Sequence, residues 1–328
     1  MVHKINFDDI RPFDDSEVNH YLGLLLQDEG FQHILQFIFK DQAKINQVKL
    51  LLAHVHTIKD LQLKFVYQMV EDLILKKSTD GLTSSGLDKL DKNTSYLFIS
   101  NHRDIILDSA LMNYLIVLEG MNTTEIAIGN NLLIEKWIEY TVKLNRAFVV
   151  RRNLPVRELL MASKKLSEYI RRDITQKHTS VWIAQREGRT KDGNDKTQQA
   201  LLKMLNLSNI KEVGEGFKEL RIVGEPITSQ IDLICKDEPI STQIEKLAEI
   251  IDNKIYSSFK LWPNNYIAED ILNNSSNNLD QYTAEQFDRF AAMLDEAVET
   301  VPGDKDVIRT MFLEMYVNTL INKRKSME

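Results

Sequence analysis

From about Glu17 to Lys77 apolar residues recur at helical spacing. Leu22, Leu25 and Leu26 are followed by Phe31, Ile34, Leu35 and Ile38, with strong helix formers between them and no glycine from Gly30 to Gly81. A helical N-terminal region is expected. Lys77 to Asn93, with Gly81, Gly86 and several Ser, Thr and Asp residues, reads as a turn-rich connection. Beyond it come short apolar runs of strand type, Tyr96–Ile99, Glu125–Ile128, Ala147–Val150 and Ser180–Ala184. Helical patterns separate them over about Asp108–Glu119, Leu132–Leu144 and Pro155–Gln176, and Pro155 suits a first helical turn. Strands alternating with helices imply βαβ units and a largely parallel sheet. A further helix is expected over Lys196–Leu205 and a late strand over Lys218–Val223. After Cys235 the pattern is helical again over Thr242–Phe259, Ala284–Glu299 and Asp304–Asn322, with an Asn- and Ser-rich loop at Asn273–Asn278. The predicted class is α/β, a mostly parallel sheet flanked by helices with helical N-terminal and C-terminal extensions. The expected organisation is a helical region over 1–80, an α/β domain over 81–236 and a helical region over 237–328.

Composition narrows the functional classes. A chain of 328 residues with 43% apolar and 27% charged positions can bury a full core. Its formal net charge of −7 argues against sequence-independent nucleic-acid binding, which needs a basic face to neutralise phosphates. The single cysteine, Cys235, has no disulfide or CxxC partner, which predicts a reducing compartment. The first residues turn acidic before an apolar core could form, so no signal peptide is expected. No run approaches the roughly 18 apolar residues of a spanning helix. The expected location is cytoplasmic, with any membrane contact peripheral and on the inner face. His54 and His56, two apart on a helix, point in different directions and do not suit a metal.

The chemistry concentrates where the first strand-type run meets the first helical pattern after it, at Ile99-Ser100-Asn101-His102-Arg103-Asp104-Ile105-Ile106-Leu107-Asp108. Histidine is the side chain that titrates nearest neutrality, and a carboxylate bonded to one ring nitrogen orients the other to take a proton from a hydroxyl. His102 with Asp104 or Asp108 reads as a general base and its orienter. The same letters spell the HRD of a protein kinase, but that pattern needs Asn five residues after the Asp and a later DFG. Ser109 stands at that position and DFG occurs nowhere. A metal site at His102, Asp104 and Asp108 lacks a second His or Cys at ligand spacing.

Three more segments follow the expected strands, at the carboxyl ends where open α/β sheets bind ligands. Gly129-Asn130-Asn131 is a turn. Ala147-Phe148-Val149-Val150-Arg151-Arg152 places two guanidinium groups, suited to bidentate phosphate recognition, at a strand end. Arg186-Glu187-Gly188-Arg189-Thr190-Lys191-Asp192-Gly193 combines flexible backbone with positive charge. In this order, over about residues 95–205, the four segments resemble the glycerolipid acyltransferases, particularly the glycerol-3-phosphate and lysophosphatidate types.

The resemblance implies an O-acyltransferase of phospholipid biosynthesis that moves a fatty acyl group from acyl-CoA or acyl carrier protein to a hydroxyl of a lipid acceptor at a membrane surface. It requires no cofactor beyond the acyl thioester. His102 would deprotonate the acceptor, Asp108 would orient His102, and backbone N–H groups near the following helix start would receive the oxyanion. Asn131, Phe148, Arg151, Arg152, Glu187, Gly188, Arg189 and Thr190 would form the acceptor site. The family's dyad is usually His-x4-Asp, whereas five residues separate His102 from Asp108, and one extra residue rotates a helical side chain by about 100°. Asp104 is therefore an alternative orienter. The family's fourth block, a strand with an apolar-Pro-apolar centre, has no clear counterpart in the short, polar interval from Asn206 to Glu219. Either Pro226, in Gly224-Glu225-Pro226-Ile227, substitutes for it or a strand has been lost. Acylation of another lipid hydroxyl, such as that of an N-acyl amino-acid lipid, and non-catalytic acyl-carrier or lipid binding on the same scaffold are the alternatives.

Overall fold

A computed structural model describes residues 5–79, 81–223, 230–232, 234 and 236–328. Cys235 and the Gly224–Ile227 segment lie outside the described residues. The N-terminal region is helical as its spacing predicts: α1 (Val18–Gln27), α2 (Glu29–Phe39), α3 (Gln42–Ala53) and a continuous α4 over residues 58–78. The breaks between them have local causes, because the side chains of Asp28, Asp41 and Thr57 each accept a backbone N–H from the turn that follows. Two π-helical stretches, Gln62–Val66 and Val70–Leu75, lie within α4.

The strands β1 (Leu97–Ser100), β2 (Glu125–Gly129), β3 (Ala147–Val150) and β4 (Val181–Ala184) form an all-parallel sheet of order β1-β4-β2-β3. Helices α5 (Leu107–Leu118), α6 (Lys136–Leu144) and α7 (Val156–Thr175) make the crossovers. Both faces of the sheet are covered, which is why the strands read as apolar runs rather than as alternation. Leu97, Val181, Ile183 and Phe148 pack with Leu166, Tyr169 and Ile170 of α7. Phe98 and Trp182, the alternate residues, pack with Ile116 of α5 and with Met121. The edge of β3 is covered by the N-terminal segment, whose Ile10 carbonyl accepts the Val149 N–H at 2.8 Å.

Next come α8 (Gln199–Asn206), α9 (Val213–Glu219) and α10 (Ile240–Ser258). The strand expected over Lys218–Val223 is corrected: Lys218 and Glu219 end α9, and only Ile222 makes a parallel bridge, to Leu97. The buried residues Val213, Phe217 and Leu220 recur at helical spacing and pack into the sheet core. The C-terminal helices α11 (Pro263–Asn273), α12 (Ala284–Thr300) and α13 (Lys305–Lys325) share their own core around Ile267, Phe290, Leu294 and Val317. Among the described residues no helix is long and apolar enough to cross a membrane.

At the amino end of β2 the Glu125 carboxylate is buried and accepts the Tyr169 O–H. Burial, followed by the negative charge of buried Asp173, pushes Glu125 up to about 8. A carboxyl with a raised folded-state pKa holds its proton in the native state after the unfolded chain has released it. Its contribution to stability is therefore lost as pH rises from about 4.5 toward 8. Thermal melts between pH 5 and pH 8 are expected to show a falling melting temperature, and Glu125→Gln flattens that fall while leaving the pH 5 value nearly unchanged.

Candidate active site

Parallel strands end together, so the four segments singled out in the sequence emerge at one end of the sheet. His102 lies in the loop between β1 and α5, with its ring edge-on to Trp182 of β4 at 6.4 Å between centroids. Asp108 sits in the first turn of α5, and its Oδ2 lies 2.9 Å from His102 Nδ1. The same oxygen accepts the backbone N–H groups of Arg103 at 2.9 Å and Asp104 at 3.1 Å. A carboxylate on Nδ1 selects the tautomer that carries its proton there, leaving Nε2 as the acceptor. Nε2 makes no hydrogen bond among the described residues, and His102 lines the main cavity.

The five-residue interval is thus accommodated by the loop. His102 lies outside the helix, so the helical rotation expected of an extra residue does not apply to the pair. Asp104 acts on the backbone instead of the ring. Its Oδ1 accepts the N–H groups of Ile106 and Leu107, both at 2.8 Å, and caps the start of α5. Burial raises its pKa, but those two N–H groups, with Arg189 and His102, outweigh burial and leave it below the ordinary carboxylate value. The N–H groups of Arg103, Asp104, Ile106 and Leu107 are all bonded to carboxylates. The oxyanion donors expected near this helix start are not among those four.

The cavity measures ≈1680 Å³, well above the common range of about 300–1,000 Å³ for ligand pockets. Its walls come from α4, α5 and α7, including Val66, Val70, Leu73, Ala110, Val117 and Leu166. Tyr67 of α4 and Tyr114 of α5 stack at 4.4 Å and also line it. Of the N-terminal helices, α4 therefore supplies an apolar wall, which its sequence pattern alone did not disclose.

Of the expected acceptor residues, Asn131, Arg151, Arg152, Glu187, Gly188 and Arg189 line the same cavity as His102. Arg152 is held by its backbone N–H on Asn130 Oδ1 at 2.8 Å and by its guanidinium on Glu187 at 3.1 Å. Gly129 allows this guanidinium to lie over the end of β2, since a Cβ there would come within 3.0 Å of Arg152 Cζ and 2.4 Å of Asn131 Oδ1. Arg151 pairs with Asp9 at 2.8 Å, whereas Arg189 is exposed and has no ion pair among the described residues. Exposed pairs of this kind are worth about 0–1 kcal/mol, so an incoming anion can displace Glu187 from Arg152 at little cost. Gly188 has φ +72°, a conformation that favours glycine.

Two expected acceptor residues sit elsewhere. Phe148 is fully buried against Tyr169 in the sheet core, because β3 turns alternate side chains away from the cavity. Thr190 is also buried; its N–H bonds the His102 carbonyl at 2.9 Å and its hydroxyl donates to Asp192. It shapes the loop rather than the cavity.

The sequence patterns missed a support that crosses from the C-terminal helices. Asp195 is buried and accepts the His102 N–H at 2.5 Å, while its own carbonyl accepts the Tyr256 hydroxyl of α10 at 2.6 Å. Desolvation raises the pKa of Asp195 and lowers that of neighbouring Arg103. The Arg103 guanidinium bonds the Gly193 carbonyl at 3.3 Å and Thr319 of α13 at 3.0 Å, and Asn318 bonds the Asp192 carbonyl at 2.8 Å. Asp195 and Arg103 are single polar residues in loops, and partners about 60 to 220 positions away leave no local pattern.

For any reaction in which this dyad acts as general base, Asp108→Asn is expected to lower kcat by about 10²–10⁴, whereas Asp104→Asn, which keeps the dyad, costs less than about tenfold. Gly193, at φ +75°, lies where a Cβ would come 2.5 Å from the Met315 carbonyl of α13. Gly193→Ala is therefore expected to destabilise the protein by about 1–3 kcal/mol in denaturant melts and to lower activity with it. The chain matches no model of a known protein family, and no curated protein matches it.

Proposed function

We propose that the protein is an O-acyltransferase that moves a fatty acyl group from a thioester of coenzyme A or acyl carrier protein to the hydroxyl of a glycerophosphate or lysophosphatidate-type acceptor. The observation that carries this reading is the His102–Asp108 pair opening on a large apolar cavity whose lining also holds Arg151, Arg152 and Arg189. The apolar walls suit an acyl chain and the arginines an anionic headgroup. His102 lines the same cavity as both.

In this mechanism His102 Nε2 takes the proton of the acceptor hydroxyl as its oxygen attacks the thioester carbonyl. Asp108 holds the imidazolium that forms. The tetrahedral intermediate collapses with cleavage of the C–S bond, and the imidazolium returns its proton to the departing thiolate. The hydroxyl attacks directly, so no enzyme nucleophile is needed. The products are an ester and a free thiol.

The resemblance of four ordered segments to glycerolipid acyltransferases supports the same reading. So does the position of all four at the carboxyl ends of parallel strands, where such sheets bind ligands. Protein incubated with acyl-CoA and lysophosphatidate is expected to release free thiol and form diacylated product, detected by mass spectrometry. His102→Ala is expected to reduce that rate by about 10²–10⁴. Unchanged turnover in this variant would remove the mechanism.

A further inference from the structure

We propose that the end of the sheet carrying His102 is a membrane-docking face, which seats the cavity mouth on an anionic lipid surface. Several apolar side chains there are exposed. Val156 is 86% exposed, Ile134 77%, Ile106 and Met161 68% each, Leu160 60% and Ile105 43%.

Their common location follows from topology. Ile105 and Ile106 follow β1, Ile134 follows β2, and Val156, Leu160 and Met161 follow β3 on the first turns of α7. The strands are parallel, so these segments all project from the sheet end at which His102 stands. Val156 and Leu160, one helical turn apart, form a single stripe. Isolated exposed aliphatics are ordinary on protein surfaces, whereas a group gathered at one end marks an interaction site.

Two observations identify the occupant as lipid. First, the exposed surface is continuous with the cavity, because Ile105, Ile106 and Met161 are exposed and also line it. A protein held firmly on this face would plug the mouth, whereas a fluid bilayer covers it and lets single molecules pass into the cavity. Second, the charge is complementary to an anionic surface. Between positions 151 and 165 the chain carries five cations against the one carboxylate Glu158, although its formal net charge is −7; Arg151 and Lys165 pair with Asp9 and Arg152 with Glu187, which leaves Arg157 and Lys164, with Arg189, free of ion pairs among the described residues. Arg157, Lys164 and Arg189 are exposed. Cations beside exposed aliphatics combine the electrostatic and apolar terms that hold a peripheral protein on anionic lipid.

The proposal rests on the acyl-transfer reading only for why a lipid should enter the cavity; docking itself is measured without any acyl thioester. In flotation assays at 0.1 M salt, the full chain is expected to rise with vesicles of phosphatidylcholine and phosphatidylglycerol mixed about 3:1. It should bind pure phosphatidylcholine at least several-fold less, and binding should weaken at 0.5 M salt. The double variant Val156→Asp/Leu160→Asp is expected to lose at least tenfold of vesicle binding while its melting temperature stays near that of the parent. Phe37→Asp, which replaces another exposed apolar residue on α2 (77% exposed), should bind as the parent does. Failure of the parent chain to float, equal binding by the double variant, or equal loss in Phe37→Asp would overturn docking through this face. So would a parent chain that sediments as a dimer and becomes monomeric in the double variant, since a second copy would then be the occupant. Vesicle binding without turnover counts against acyl transfer alone, and turnover of a water-soluble short-chain substrate without vesicle binding counts against docking alone.

Discussion

Asp108 Oδ2 accepts three hydrogen bonds within a seven-residue stretch, from the His102 ring and from the backbone N–H groups of Arg103 and Asp104. A carboxylate so placed folds the loop around itself before it can orient the imidazole. The two consequences are inseparable: the bonds that shape the turn also determine which histidine nitrogen faces the cavity. Asp104 completes the construction by capping α5, which holds Asp108 in the first helical turn. Two carboxylates in one short loop thus divide the work, one by contact with the ring and the other by contact with the backbone.

The wider fold supports this loop from three directions. The sheet places it beside β4 and the Glu187 segment. Buried Asp195 takes the His102 N–H from the other side, and the C-terminal helices hold Arg103 and the Asp192–Gly193 carbonyls. Buried hydrogen bonds to charged groups are costly to leave unmade, so loosening one of these contacts strains the others. The C-terminal helices have a core of their own, yet their polar edge reaches the loop that carries the proposed base. Among the described residues they touch Arg103 and the Asp192–Gly193 segment and do not line the cavity.

The N-terminal helices contribute differently. α4 presents apolar side chains to the cavity together with α5 and α7, so the cavity is bounded in part by a segment far from the dyad in sequence. Helix α7 serves both the core and the surface. Its buried face, through Tyr169 and Ile170, secures the sheet, and its first turns carry the exposed aliphatics and the cations. One amphipathic helix therefore couples core packing to the surface on which the cavity opens.

The sequence by itself determined most of the element types, the parallel character of the sheet and the convergence of four polar segments at one end of it. These follow from periodicity, from apolar runs that only a doubly covered strand can bury, and from the rule that parallel strands finish together. It also singled out His102 and left two carboxylates as its orienter. Only the tertiary structure decided between them, because the choice depends on where the chain leaves β1 and enters α5 and not on spacing counted along an ideal helix. Phe148 and Thr190 looked like site residues for want of the same information: whether a strand or loop side chain faces a cavity or a core depends on what packs on each side. Asp195, Arg103 and the walls contributed by α4 had no local signature at all. Contacts between residues many positions apart are set by the packing of whole elements, and no pattern within a single element records them.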